Sequence, residues 1–146
     1  LDPEATIPVV LLPSVICSDL NENIRVGGLV HEAAVKEGKK VVYLGSCALA
    51  HKVVRGPHLW PSQEHMDTDK KLISMFCDGE IDALIDWLPA YAHDVVTEMG
   101  GRPLAGMLGA TAAMAGDTGR VRGKQWGPYG QSSGSGNASI CVLPAD

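Results

Sequence analysis

"KKVVYLGSCALAH", residues 39–51, decides how this chain is read. Its first half is rich in β-branched residues and closes on Gly45-Ser46, the composition of a strand buried on both faces of a sheet. Its second half is apolar and delivers His51 just beyond that strand's end. A buried imidazole without a partner is costly, so a histidine there needs a hydrogen bond or a job. In open α/β sheets ligands bind beyond the carboxyl ends of strands, which makes His51 the leading candidate for function.

Working outward, "IPVVLLP" at residues 7–13 is a second short apolar run, bounded by proline. Between the two, Ile24, Leu29, Val30, Ala33 and Ala34 recur at helical spacing and Gly38 supplies a stop. Strand, helix, strand predicts a right-handed βαβ crossover. Downstream, Ser62 opens a polar first turn, and Leu72, Ile73, Met75 and Phe76 form an apolar stripe before Gly79. A further helix is expected over "EIDALIDWL", broken or reset by Pro89, then a turn-rich helix in "AYAHDVVTEMG". The Gly- and Ala-dense "RPLAGMLGATAAMAG" starts with proline in its first turn and predicts a packed interior helix. The tail, 119–146, alternates glycines with charged or aromatic residues and ends in "ASICVLP", a hairpin or a long loop returning to a last strand. Its "SSGSG" reads as a linker-like loop, because no helix follows it and no GK[ST] completes a phosphate-binding signature. The fold class expected is α/β: a mixed sheet with flanking helices and a C-terminal β-ribbon, within a larger single-domain fold.

The 146 residues, 45% hydrophobic, suffice for one compact domain that buries about two thirds of its unfolded surface. The net charge of -5, with scattered lysines and arginines, gives no footprint for nucleic acid or an anionic membrane. No apolar run reaches the length of a membrane span and no signal-peptide pattern opens the chain. Cys17, Cys47, Cys77 and Cys141 are far apart with no CxxC pair, and read as reduced, largely buried thiols of a cytoplasmic protein. The chain begins on Leu1-Asp2-Pro3 without methionine, so a processed protein or part of a longer one is expected.

Other candidates divide by placement. His31, within the first helix, and His93, beside Asp94, are expected to be structural or exposed. Asp82, Asp86 and Asp94 recur at helical spacing and should face solvent. Glu98 closes an apolar segment before Gly100-Gly101; at a helix C-terminus the macrodipole disfavours an anion, so it is either well exposed or paired with a cation such as a metal. Ser46, Cys47 and His51 lie close together, but "GSCALAH" lacks the G-x-S-x-G elbow, and no Cys or His spacing suits four-ligand zinc.

"VVYLGSCALAHKV" followed by "GGRPLAGMLGA" resembles the C-terminal half of the extradiol ring-cleavage dioxygenases of the protocatechuate 4,5-dioxygenase superfamily. The resemblance spans nearly the whole chain, so residues 1–146 would be the C-terminal portion of such a catalytic domain. It implies that His51 is the active-site acid/base and Glu98 the carboxylate of a two-histidine, one-carboxylate Fe(II) site. It also implies a small aromatic substrate of the catechol or 2-aminophenol type, O₂ as co-substrate, and a muconic semialdehyde type of product. His58 and Trp60, in "RGPHLWPSQEH", are candidates for a wall of the substrate pocket. The family's two iron-binding histidines belong to its N-terminal half, and nothing in this chain matches those motifs. The missing half, or a homo- or hetero-oligomeric partner, would supply them. The competing expectation is a non-catalytic subunit or ligand-binding module on the same scaffold.

Overall fold

The computed structural model describes residues 3–4, 6–52, 56 and 58–145. Its architecture is mixed α/β: helices α1 (Leu20–Lys36), α2 (Gln63–Asp78), α3 (Ile81–Asp94) and α4 (Arg102–Thr118), then strands β1 (Val121–Ser132) and β2 (Ser135–Pro144). The flanking helices and the C-terminal ribbon stand as expected. Among the described residues the sheet is that antiparallel pair.

Local chemistry sets the helix ends. Asp19 caps α1 reciprocally with Glu22: the Glu22 N–H donates to the Asp19 carboxylate at 2.7 Å and the Asp19 N–H to the Glu22 carboxylate at 2.9 Å. Ser62 caps α2 by accepting from the His65 N–H, and Gly79, left-handed at φ 76°, ends it. Pro89 does not break α3 as the sequence suggested; the helix runs on to Asp94. Leu88 is buried while Pro89 and Ala90 are exposed, so the carbonyl that loses its amide donor can be served by water.

Helix α4 is the interior helix its composition predicts, with Leu104, Ala105 and Leu108 buried. Its glycines let α1 approach backbone to backbone. A Cβ on Gly109 would collide with the Ile24 carbonyl, and one on Gly27 with the Gly106 carbonyl. The His31 ring reaches Asp117 at 2.8 Å and ties the same pair together, which is the structural role expected of it. On the other side of α4, Leu72, Phe76, Leu84, Leu88 and Tyr91 join Val121 in one core cluster.

In the hairpin, Ser133 and Gly134 both take positive φ between the Ser132–Ser135 pair, the demand of a type I′ two-residue turn. "SSGSG" is therefore neither linker nor phosphate loop. The register slips between Trp126 and Gly130, where Gly127 has φ 77°. That bulge re-aims Tyr129 toward the core.

The expected crossover does not form. Neither 7–13 nor 39–46 is a strand, although α1 lies between them as anticipated. An inner strand needs partners at both edges, and β1 and β2 pair with each other. Val9, Val10 and Leu11 are 78, 84 and 87% exposed and Val42 is 91% exposed, so consecutive residues are bare on both faces. A monomer of 15.4 kDa exposes roughly 7,200 Å² by size scaling, whereas this chain exposes 9378 Å². The cysteines also differ from expectation: all four are free, but Cys17 and Cys141 are exposed and Cys47 and Cys77 half-buried. Among the described residues no helix is long and apolar enough to cross a membrane.

The α1–α4 contact makes a paired prediction. Gly109→Ala should destabilise the chain by about 2–3 kcal/mol through forced helix separation, while Gly28→Ala, whose new methyl meets only ordinary contact, should be neutral to stabilising. Urea unfolding of both variants checks the contrast.

Candidate functional site

Residues 47–51 carry an apolar sequence, and Ala48, Leu49 and Ala50 are buried. Burial obliges their backbone N–H groups to find acceptors, and outside a helix or strand these must come from elsewhere in the chain. Four consecutive amides do so, each in a different direction. Ala48 N–H donates to Glu98 Oε2 at 2.6 Å. Leu49 N–H donates to the Gly136 carbonyl at 2.8 Å, and Gly136 N–H returns a bond to the Ala50 carbonyl at 2.8 Å. Ala50 N–H is shared by both Asp69 oxygens at 3.1 and 3.2 Å. His51 N–H donates to the Val95 carbonyl at 3.2 Å.

The His51 loop and the turn bearing Glu98 are thus brought together by two hydrogen bonds, and both side chains are half-buried. Their placement differs from expectation in two respects. His51 follows a loop rather than a strand end. Glu98 does not close a helix: α3 has already ended at Asp94, and Glu98 opens the short 3₁₀ turn Glu98–Gly101 that leads into α4. The expected dipole penalty therefore does not arise, and the local bond that holds the carboxylate is the Ala48 amide.

The segment around Glu98 is strained. Val96 and Met99, neither of them glycine, have φ of 53° and 54°. A β-branched residue in the left-handed region is a true outlier, and such conformations persist where the surroundings over-determine them. Here Val95 and Thr97 are buried on either side of an exposed Val96, which pins the backbone while its side chain makes little of the position. Gly100 and Gly101, at φ 61° and 79°, complete the turn.

Cys47 lies beside Glu98. Burial and the Glu98 charge push its thiol up to about 12, against a weaker opposing bond from the Leu104 backbone, so it stays protonated and is a poor nucleophile. A protonated Cys47 counts against a Cys47–His51 hydrolytic pair. His93 is exposed beside Asp94, and Asp82, Asp86 and Asp94 face solvent, all as expected. His58 is exposed. Trp60 is 52% exposed and lies against Tyr129, ring centroids 6.4 Å apart, and Tyr129 in turn donates to Asp69, which links Trp60 to the site. Two shallow, open grooves lie elsewhere, one on the hairpin along Pro128, Gly130, Ser132 and Asn137, the other between Leu12, Val15 and α1 residue Val26.

Asp69 is the residue that sequence reading overlooked. It is fully buried and accepts from Tyr91 Oη at 2.8 Å and Tyr129 Oη at 2.6 Å besides Ala50 N–H. Desolvation raises its pKa, opposed by the two tyrosine hydroxyls, the Ala50 amide and the nearby His65. Both tyrosines are pushed well above their ordinary range, by burial first, and remain hydroxyl donors. A signal existed: Asp69, Leu72, Ile73 and Phe76 fall on one helical stripe, and a carboxylate on an apolar stripe is buried.

As for iron, among the described residues no three His, Cys, Asp or Glu side chains gather as a metal ion would require. Glu98 by itself does not fit Fe(II), which in the two-histidine, one-carboxylate arrangement needs two imidazoles as well. No family model matches the chain, and no curated protein matches it.

Two outcomes are expected. In the native protein at pH 8, iodoacetamide should modify Cys17 and Cys141 readily and Cys47 only on unfolding, as peptide mass mapping would show; rapid Cys47 labelling would restore the nucleophile reading. Val96→Gly should stabilise the chain by about 0.5–1 kcal/mol, relief of left-handed strain outweighing added chain entropy, measured by thermal unfolding.

Proposed function

We propose that this chain is the C-terminal portion of the catalytic unit of an extradiol dioxygenase, which opens the ring of a catechol or 2-aminophenol with O₂. Within that superfamily the reading draws on a resemblance to the catalytic subunit of 2-aminophenol 1,6-dioxygenase. The observation that carries this reading is the Glu98 to Ala48 hydrogen bond, which ties the carboxylate's turn to the loop that presents His51 three residues later. A half-buried imidazole held in place by its own backbone is suited to taking the proton from a substrate hydroxyl or amine onto a ring nitrogen and returning it later. Glu98 keeps its other carboxylate oxygen, Oε1, for a cation. The two imidazoles of the iron site would come from polypeptide outside the described residues, as an upstream segment or a partner subunit, and no step through iron is derived from this chain alone. Trp60 and His58 would form an outer wall at most. Four free cysteines and scattered charges suit a cytoplasmic protein without nucleic-acid or membrane partners.

The second reading is a non-catalytic subunit or ligand-binding module on the same scaffold. Anaerobic Fe(II) titration followed by oxygen uptake with 2-aminophenol separates the two. The chain alone should show no uptake, and the full-length polypeptide or complex should restore it. In that complete protein His51→Ala should lower kcat by about 10²–10⁴-fold with iron still bound, while Glu98→Ala should lose the iron. Absence of uptake at every iron loading of the complete protein would leave the binding module.

A further inference from the structure

The His51 loop could be held by the Glu98 bond alone, yet the chain spends a fully buried carboxylate on it from a third direction. Asp69 projects from the middle of α2 into the core and meets Tyr91 of α3, Tyr129 of the hairpin and the Ala50 amide. An ionised carboxylate is acceptor-only, and two hydroxyl donors plus one amide use its lone pairs well. The hairpin is fitted to this arrangement. The bulge between Trp126 and Gly130 delivers Tyr129, and Gly136 opposite has no side chain because a Cβ there would collide with the Tyr129 hydroxyl and the Asp69 carboxylate. Gly136 also pairs with Leu49 and Ala50 on both sides of its own residue. Asp69 and Gly136 therefore both hydrogen-bond the backbone of residues 49–50, immediately before His51.

We infer that Asp69 is a positioning residue of the His51 site: through the Ala50 N–H it fixes the loop that presents the imidazole, and Tyr91 and Tyr129 fix Asp69. This rests on the reading of His51 as the acid/base group. Asp69 touches no substrate. Its effect passes through one backbone amide, so it alters where the imidazole sits and leaves binding of the ring to other residues. Trp60, packed on Tyr129, lies at the far end of the same chain of contacts, which links the 58–62 connection to the His51 loop.

The test compares Asp69→Asn, Asp69→Ala and Tyr129→Phe in the full-length polypeptide or complex. Asparagine keeps the shape and one carbonyl oxygen for Ala50, so it is the conservative rescue should alanine fail to fold. The readouts are the Ala50 amide and the His51 ring cross-peaks by NMR, amide exchange at Ala50 against that of buried α4, and oxygen uptake. Expected are exchange at Ala50 at least tenfold faster, beyond any general rise in buried α4, and displaced His51 ring signals in Asp69→Ala, both largely restored in Asp69→Asn. Tyr129→Phe should give an intermediate shift. Uptake should lose kcat at least tenfold in Asp69→Ala with KM within twofold of the parent. Unmoved Ala50 and His51 signals, or exchange rising equally throughout α4, would overturn the positioning role and leave Asp69 as core structure. Because the NMR readouts need no turnover, displaced signals in a protein without uptake would uphold the positioning and reject the oxygenase reading instead.

Discussion

Four successive backbone N–H groups, those of residues 48 to 51, govern this structure. A buried stretch in neither helix nor strand has no internal partners for its amides, and each one left unmade would cost about 1–3 kcal/mol. Their acceptors are the Glu98 side chain, the Gly136 carbonyl, the Asp69 side chain and the Val95 carbonyl, from three separate regions of the chain: residue 69, residues 95–98 and residue 136. The loop is thus where α2, the end of α3, the turn into α4 and the start of β2 are cross-referenced. That explains why small residues fill it. Ala48 and Ala50 leave space for acceptors to reach the backbone, and Leu49 contributes the one bulky apolar side chain to the core.

The same constraint accounts for the oddities nearby. Val96 and Met99 accept left-handed backbone because the Val95 carbonyl and the Glu98 carboxylate must both face the loop from one short turn. Gly136 lacks a side chain because the Asp69 and Tyr129 oxygens occupy the space. Cys47, caught between burial and the Glu98 charge, is left as a neutral thiol. Strain, a missing Cβ and a silenced thiol are consequences of one set of hydrogen bonds rather than three independent features.

What was legible in the sequence was local or periodic. The Ser62 cap, the Gly79 and Gly38 stops, the glycine-dense α4 and the hairpin all depend on residues near one another along the chain, and each formed. The misreadings share a different cause. The apolar runs at 7–13 and 39–46 encode a preference for a buried sheet, but burial needs a partner surface, which a segment's own composition cannot reveal. Pro89 encodes the loss of one amide, yet whether that breaks a helix depends on which side faces water. A double glycine commonly marks a helix end, which is why Glu98 reads as a closing residue; here the glycines lie inside a kinked turn that leads into the next helix. Asp69 was hidden because its partners, Tyr91, Tyr129 and Ala50, lie 22, 60 and 19 residues away.

The surface in excess of a monomer's and the candidate site are not separate matters. Val41, Val42 and Leu44, all exposed, run directly into Cys47 and the buried loop, with Gly45 packed against Pro103 and Met107 of α4. A surface that covered residues 41–44 would therefore end within a few residues of His51 along the chain. Under the proposed oxygenase reading Glu98 would need two imidazoles that the described residues do not bring to it, and the apolar residues leading to its loop are exposed. One polypeptide surface laid against 41–44 would meet both needs, since the distance along the chain from Leu44 to Ala48, where Glu98 is bound, is at most about 14 Å even when fully extended. The missing ligands of the proposed iron site and the missing neighbour of the apolar segment are on that account a single requirement, met or unmet together.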